Sequence, residues 1–154
     1  SQNRRGQPRP RHHSHAPLKR PPFSPYDTFV IDLGNKKISV GQTAYVFNVP
    51  IGEVVEVGNM TSIIRLFSSS GISKKVMIGG VVEAEAIGKG GGRFISTIAE
   101  DSGIEVGDVV TLSESNQYVL GIVESVEKDG TKTLTDVRFN FPFSLNTMRF
   151  VEIR

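Results

Sequence analysis

Three histidines, His12, His13 and His15, are the only imidazoles in this chain of 154 residues, and cysteine is absent altogether. All three sit in an opening stretch, SQNRRGQPRPRHHSHAP, that holds one Ala and no larger aliphatic or aromatic side chain. Everything after residue 17 therefore lacks both an imidazole base and a thiol. Ser-His-Asp and Cys-His mechanisms have no general base there, disulfides cannot form, and a Zn or Fe site built on His or Cys is excluded. The RHHSH run could hold a metal ion weakly, but three His in an unstructured segment more often signify nothing. No catalytic residue, metal or cofactor is expected.

Two further groups invite a chemical reading and fail it. Gly88-Lys-Gly-Gly-Gly-Arg93 looks like a phosphate loop, yet it lacks the G-x-x-x-x-G-K-[ST] spacing and no amphipathic helix follows it. It reads instead as a mobile hairpin or a connection between units. Glu83 and Glu85 alternate on a strand and so share one face, the solvent side, while Asp101, Glu105 and Asp108 border a loop. A glycosidase needs two acids at fixed separation beside a cleft with stacking aromatics, and the chain has no Trp and only three Tyr. The expectation is a protein that is not an enzyme.

The elements around these residues are short strands. Residues 28–33, 36–40, 42–48, 51–57 and 61–67 are β-branched or aromatic runs. Turn signals separate them at Gly34–Lys37, Gly41, Val49-Pro50, Gly58-Asn59 and Ser68-Ser-Ser-Gly71. Apolar residues nowhere recur at i, i+3, i+4, i+7 over three turns, so the chain is expected to be all-β, with at most one helical turn near 100–103. The 16 glycines suit tight turns.

An internal repeat organises these strands. Ile38-Ser-Val-Gly-Gln-Thr-Ala-Tyr-Val is echoed by Ile104-Glu-Val-Gly-Asp-Val-Val-Thr-Leu, and Ile51-Gly-Glu-Val-Val-Glu-Val by Leu120-Gly-Ile-Val-Glu-Ser-Val. Thr61-Ser-Ile-Ile-Arg-Leu-Phe is echoed by Leu134-Thr-Asp-Val-Arg-Phe-Asn. Two copies of one unit predict two small β-barrel subdomains in tandem, at 19–79 and 80–154, with a start strand that the two could share and with Val40-Gly41 and Val106-Gly107 at equivalent turns. A disordered basic tail over 1–18 is expected ahead of them, cleavable by trypsin at Arg4, Arg5, Arg9 or Arg11.

Charge divides along the same line. Six of the 18 basic residues fall within the first 20 positions, which contain no acid, leaving 12 basic against 16 acidic residues in the body. No apolar run approaches the roughly 20 residues of a membrane span. The chain begins at Ser and reads as a fragment whose targeting segment lies elsewhere. The run from Ala44 to Ile51 carries more hydrophobicity than one buried strand face requires. On a regular strand Tyr45, Phe47, Val49 and Ile51 would share a face, which makes them the candidate partner-binding residues.

The body from about residue 19 onward resembles the extracytoplasmic C-terminal β domain of the MreC family of rod shape-determining proteins. The resemblance is carried by Pro21-Pro-Phe-Ser-Pro-Tyr-Asp-Thr-Phe-Val-Ile-Asp32, Val40-Gly-Gln42, the Ile51–Val57 strand, Ala86-Ile-Gly-Lys-Gly-Gly-Gly-Arg-Phe94, Ile104-Glu-Val-Gly-Asp-Val-Val110 and Met148-Arg-Phe-Val-Glu-Ile153. None of these motifs is specific alone; their order across the body is. The resemblance implies two β-barrel subdomains outside the cytoplasmic membrane, self-association, and binding of a class B penicillin-binding transpeptidase and other elongation-complex proteins. It implies no catalytic residues and no nucleic acid, and attachment to the membrane only through a segment not in this sequence. The competing expectation is a small-barrel nucleic-acid binder that uses its basic tail.

Overall fold

The structure, a computed structural model, describes residues 14–17, 27–128 and 133–154. Twelve strands form two sheets. The first contains β1 (Ser14–Pro17), β2 (Thr28–Ile31), β3 (Thr43–Val46), β4 (Val49–Val57), β5 (Ser62–Leu66) and β12 (Phe150–Ile153). The second contains β6 (Ser73–Ile78), β7 (Val82–Gly90), β8 (Arg93–Ala99), β9 (Val109–Leu112), β10 (Ser115–Lys128) and β11 (Leu134–Asn140). The chain is all-β, with one 3-10 turn at Leu145–Thr147 as the helical element of the described residues. That turn lies beyond the 100–103 segment where one was expected.

The second sheet closes into a barrel in the order β10-β11-β8-β7-β6-β9, whereas the first runs open as β1-β12-β3-β4-β5-β2. Written from matching strands, the orders coincide: β7-β6-β9-β10-β11-β8 against β1-β12-β3-β4-β5-β2. The repeat is therefore a repeat of topology, and the two copies differ in one seam. β7 and β8 pair, while β1 and β2 stand at opposite edges of the first sheet.

The strands do not divide at residues 79 and 80. β6 lies in the closed barrel and β12 returns to pair with β3. The barrel is thus inserted in the first unit between β5 and β12. Backbone pairing decides this, since β6 finds ladder partners in β7 and β9.

The equivalent turns match in detail. Gly41 and Gly107 have φ of 96° and 95°, a region open to glycine at little cost. Gly41 N–H donates to Val54 O at 2.9 Å, and Gly107 N–H to Val123 O at 2.8 Å. In the first copy the Gln42 side chain accepts from Ser39 N–H at 2.6 Å; in the second Asp108 accepts from Glu105 N–H at 2.9 Å. A β-bulge follows at the same place in each, between Val54 and Glu56 and between Val123 and Ser125. Such bulges bend a strand and raise its twist, as sharply curved sheets need.

Alternation of side chains builds the core. In β2, β5 and β11 every second residue is buried, the period-two signature of a sheet with one apolar face. Phe94 and Phe139 stack inside the barrel with ring centroids 4.7 Å apart, and Phe141 meets Phe94 edge-on at 5.4 Å. The first sheet contributes Phe29, Ile31, Ile51, Val54, Ile64, Leu66 and Ile153 to the same continuous core. The turn expected at Gly34–Lys37 forms, with Gly34 O accepting from both Lys37 and Ile38 N–H groups, and the strand expected over 36–40 does not.

The tail expected over 1–18 needs correction at residues 14–17. These form β1, paired antiparallel with β12 from Ser14↔Ile153 to Pro17↔Phe150, and Ala16 is fully buried. Backbone hydrogen bonding to the edge of β12 supplies the order that side-chain composition does not. Residues 1–13 and 18, including the four arginines expected as trypsin sites, lie outside the described residues. Ala16→Asp places an unpaired carboxylate under the sheet. It is expected to lower the unfolding free energy by about 2 kcal/mol or more, read as a shifted urea midpoint. A silent substitution would show that β1 does not pack.

Candidate functional site: an aromatic groove beside the β3–β4 hairpin

The β3–β4 hairpin closes at Val46↔Val49, leaving Phe47 and Asn48 as a two-residue turn. Both have left-handed backbone, with φ of 48° and 65°, the conformation of a type I′ turn, which suits the twist of paired strands. Asn is favoured in such a position; Phe is not, and its Cβ costs about 1–2 kcal/mol there. The Phe47 ring nonetheless projects into solvent, 91% exposed.

Beside it lies a groove of about 540 Å³ lined by Tyr45, Phe47, Phe143, Met148, Arg149 and Phe150, among others. Phe150 is 62% exposed. Strand alternation puts it there, since Val151 and Ile153 take the buried positions of β12. Phe143 stacks on Phe141 at 5.9 Å, which ties the groove floor to the barrel core. The Arg149 guanidinium donates to the carbonyls of Asn146 and Met148 at 3.2 and 3.1 Å, so this cation is held at the rim by backbone.

Arg154 braces the hairpin from behind. Its guanidinium lies 4.1 Å from the Tyr45 ring centroid, donates to Asn48 Oδ1 at 2.6 Å and meets Glu152 Oε1 at 3.0 Å. Tyr45 in turn meets Tyr118 of the closed barrel at 5.3 Å. The hydrogen bond to Glu152 raises the Arg154 pKa above its ordinary value, against a smaller opposing pull from burial. A cation whose pKa is raised on folding loses its contribution only when pH climbs past that pKa, so Arg154 keeps its charge throughout the neutral range. Arg154→Ala removes the cation over the ring and the bond to Asn48 together. It is expected to lower the unfolding free energy by about 1–2 kcal/mol, with midpoints measured at pH 6 and pH 9 shifted alike.

The four sequence candidates do not share a face. The turn at 47–48 divides them: Tyr45 lies on β3 against Tyr118, and Phe47 projects at the tip. Val49 and Ile51 turn inward on β4 with 6% and 0% exposure, so they belong to the core and offer no surface. Phe143, Arg149 and Phe150 join the groove without having been singled out. The alternation in Met148-Arg-Phe-Val-Glu-Ile153 carried the signal for Phe150, with Val151 and Ile153 marking the buried face. Glu83, Glu85, Asp101 and Glu105 are exposed, and among the described residues no three potential metal ligands come together.

The fold and groove define a class: an all-β module in which a closed barrel is inserted in an open six-stranded sheet that carries an exposed aromatic groove. Residues 18–154 match the family model of the rod shape-determining protein MreC, barrel core, and the chain belongs to the MreC family. Among solved structures it is similar to MreC from Pseudomonas aeruginosa, with 24% identity and a TM-score of 0.83 over 94% of this chain and 99% of that one. It is similar also to the orthorhombic form of the major periplasmic domain from the cell shape-determining filament MreC, with 19% identity, TM-score 0.63, and 92% and 94% of the two chains covered. A third is the complex between penicillin-binding protein PBP2 and MreC from Helicobacter pylori, with 17% identity, TM-score 0.57, and 92% and 98% covered. No curated protein matched the chain in sequence.

Proposed function

We propose that this chain is a non-catalytic extracytoplasmic scaffold of cell-shape determination, and that it holds a class B penicillin-binding transpeptidase of the elongation machinery. The observation that carries this reading is the Phe47–Phe150 groove on an MreC-family fold. Family membership supports the shape-determining role. The relative described as a major periplasmic domain supports the location, and the relative solved in complex with PBP2 supports the partner class. Exposed aromatics set around a groove are the composition of protein-docking surfaces, where a few ring anchors carry most of the affinity. Phe47 and Tyr45 serve in this reading as anchor and support, while Val49 and Ile51 hold the hairpin from inside. Self-association and contacts with other elongation-complex proteins belong to the same reading, as in other scaffolds with more than one docking face.

The arginines and lysine of the tail-driven nucleic-acid reading (Arg4, Arg5, Arg9, Arg11, Lys19 and Arg20) all lie outside the described residues. The described body supplies no separate reason to prefer it.

The test is a binding isotherm between the purified chain and the purified ectodomain of the class B transpeptidase from the same organism. Saturable binding is expected. No binding up to about 100 μM, a free energy near 5–6 kcal/mol, would overturn the reading.

A further inference from the structure

The glycine-rich turn between β7 and β8 makes a contact that the docking reading does not use. Gly90, Gly91 and Gly92 all have positive φ, at 87°, 65° and 84°. Successive backbone N–H groups in such a turn converge into a concavity that attracts anions. Here the groups that fill it come from the chain itself. Gly90 N–H donates to Ser68 O at 2.6 Å, Gly91 N–H to Asp27 Oδ1 at 3.0 Å, and Gly92 N–H to Ser68 Oγ at 3.0 Å. Asp27 is 9% exposed and Ser68 is fully buried. Asp27 belongs to the first unit, since its carbonyl accepts from Leu66 N–H at 2.9 Å and it directly precedes β2. Ser68 follows β5, on the crossing into the barrel. The sequence that resembled a phosphate loop is thus an anion cradle occupied by an internal carboxylate and hydroxyl.

We infer that Asp27 and the Gly90–Gly92 turn form a latch that fixes the closed barrel against the first sheet and opens without unfolding either. Position is the first reason. The β7–β8 ladder runs from Ile87↔Ile95 to Gly90↔Arg93, so the turn lies at its very end. Freeing the amides of Gly91 and Gly92 breaks no rung between strands. Entropy is the second. Glycine loses more conformational freedom on ordering than any other residue, and three in succession set a large entropic cost against three hydrogen bonds. The balance of the closed turn therefore lies nearer zero than that of the flanking ladder. A carboxylate acceptor adds strength to one of the three bonds, which makes Asp27 the side chain that decides the balance. The shared core, the backbone bonds of Gly88 N–H to Ile72 O and Gly71 N–H to Gly88 O, and the contacts of Tyr45 with Tyr118 and Lys74 with Phe67 persist when the latch is free, so the reorientation it permits is a small shift about them.

Amide exchange on the intact wild-type chain tests the opening. Gly91 and Gly92 N–H groups are expected to exchange at least about tenfold faster than the β7–β8 ladder amides, by an opening insensitive to low denaturant. If they exchange only with global unfolding, there is no latch. Orientation is read from spin labels at Asn59→Cys and Glu83→Cys, two exposed positions on different units of a chain with no native cysteine. Asp27→Ala is expected to broaden the distance distribution between them and Asp27→Asn, which keeps an acceptor, to restore it. An unchanged distribution in Asp27→Ala, with Gly91 protection lost, would make the contact a local bond and overturn the inference. Should Asp27→Ala fail to fold, the wild-type exchange experiment still decides.

Discussion

Alanine at Gly52 is expected to destabilise the first sheet strongly, and alanine at Gly121 to do the same to the barrel. A Cβ on Gly52 would stand 2.3 Å from Arg65 O and 2.9 Å from its carbonyl carbon; on Gly121 it would stand 2.3 Å from Asn140 O and 2.7 Å from the Phe139 ring. Both obstacles are mainly backbone of the neighbouring strand, which cannot rotate away as a side-chain end can. The strands must separate, and β4–β5 or β10–β11 pairing goes with them. Overpacking of a well-packed core commonly costs 1–3 kcal/mol, and a backbone collision exceeds that, so about 3–4 kcal/mol is expected, or roughly 10 °C in Tm for a domain this size. Gly41→Ala serves as the contrast. Its Cβ would meet nothing within 4 Å, and only the left-handed backbone resists, at about 1–2 kcal/mol. Thermal melts of the three variants check the order. Gly52→Ala melting within about 2 °C of wild type would mean that the strands approach less closely than described.

Those two glycines also show what the sequence could and could not disclose. Gly52 and Gly121 occupy the same place in the repeat, and the repeat was visible because bent strands need glycine where backbones meet. Its third segment was visible only in part. Matching Arg65 with Arg138 aligned two similar residues, yet the ladders pair Val54 with Ile64 and Val123 with Phe139, which makes Ile64 the counterpart of Phe139. The slip is two residues, and a slip of two leaves every side chain on its own face. Hydrophobic pattern cannot detect it. The insertion of the barrel was hidden for a related reason, since the pairing of β12 with β3 joins residues about a hundred apart and no local signal records it. β1 was missed because Ala16 is its one buried side chain and its order comes from backbone bonding. Excess hydrophobicity drew attention to the hairpin that borders the groove. Phe47-Asn48 lacks the Asn-Gly signature of a type I′ turn, so the turn was expected at Val49-Pro50, two residues late, and the face drawn for a regular strand put Val49 and Ile51 on a surface they do not reach.

Phe47→Glu combined with Phe150→Glu is expected to remove transpeptidase binding while the fold persists. Both rings are exposed, at 91% and 62%, so neither substitution opens a cavity. A charged group at an aromatic anchor typically costs 2 kcal/mol or more, a loss of affinity on the order of thirtyfold, and two anchors in one groove cost more. The melt is expected to move by less than about 0.5 kcal/mol in equivalent stability, as for surface changes elsewhere. Val49→Glu is the opposing control: at 6% exposure it is expected to lower the melt sharply and to weaken binding only as far as the fold is lost. Binding that survives the double substitution would move the docking surface off this groove.

The most direct measurement is a hydrogen–deuterium exchange footprint of the intact chain with and without the transpeptidase ectodomain. Docking at the groove predicts protection at the Phe47–Asn48 tip and across residues 143–150, with Val81, Val106 and Val109 unchanged. Those three valines, 72%, 65% and 42% exposed, are the rival exposed apolar residues. Protection at the valines, with the hairpin tip unaltered, would contradict the account.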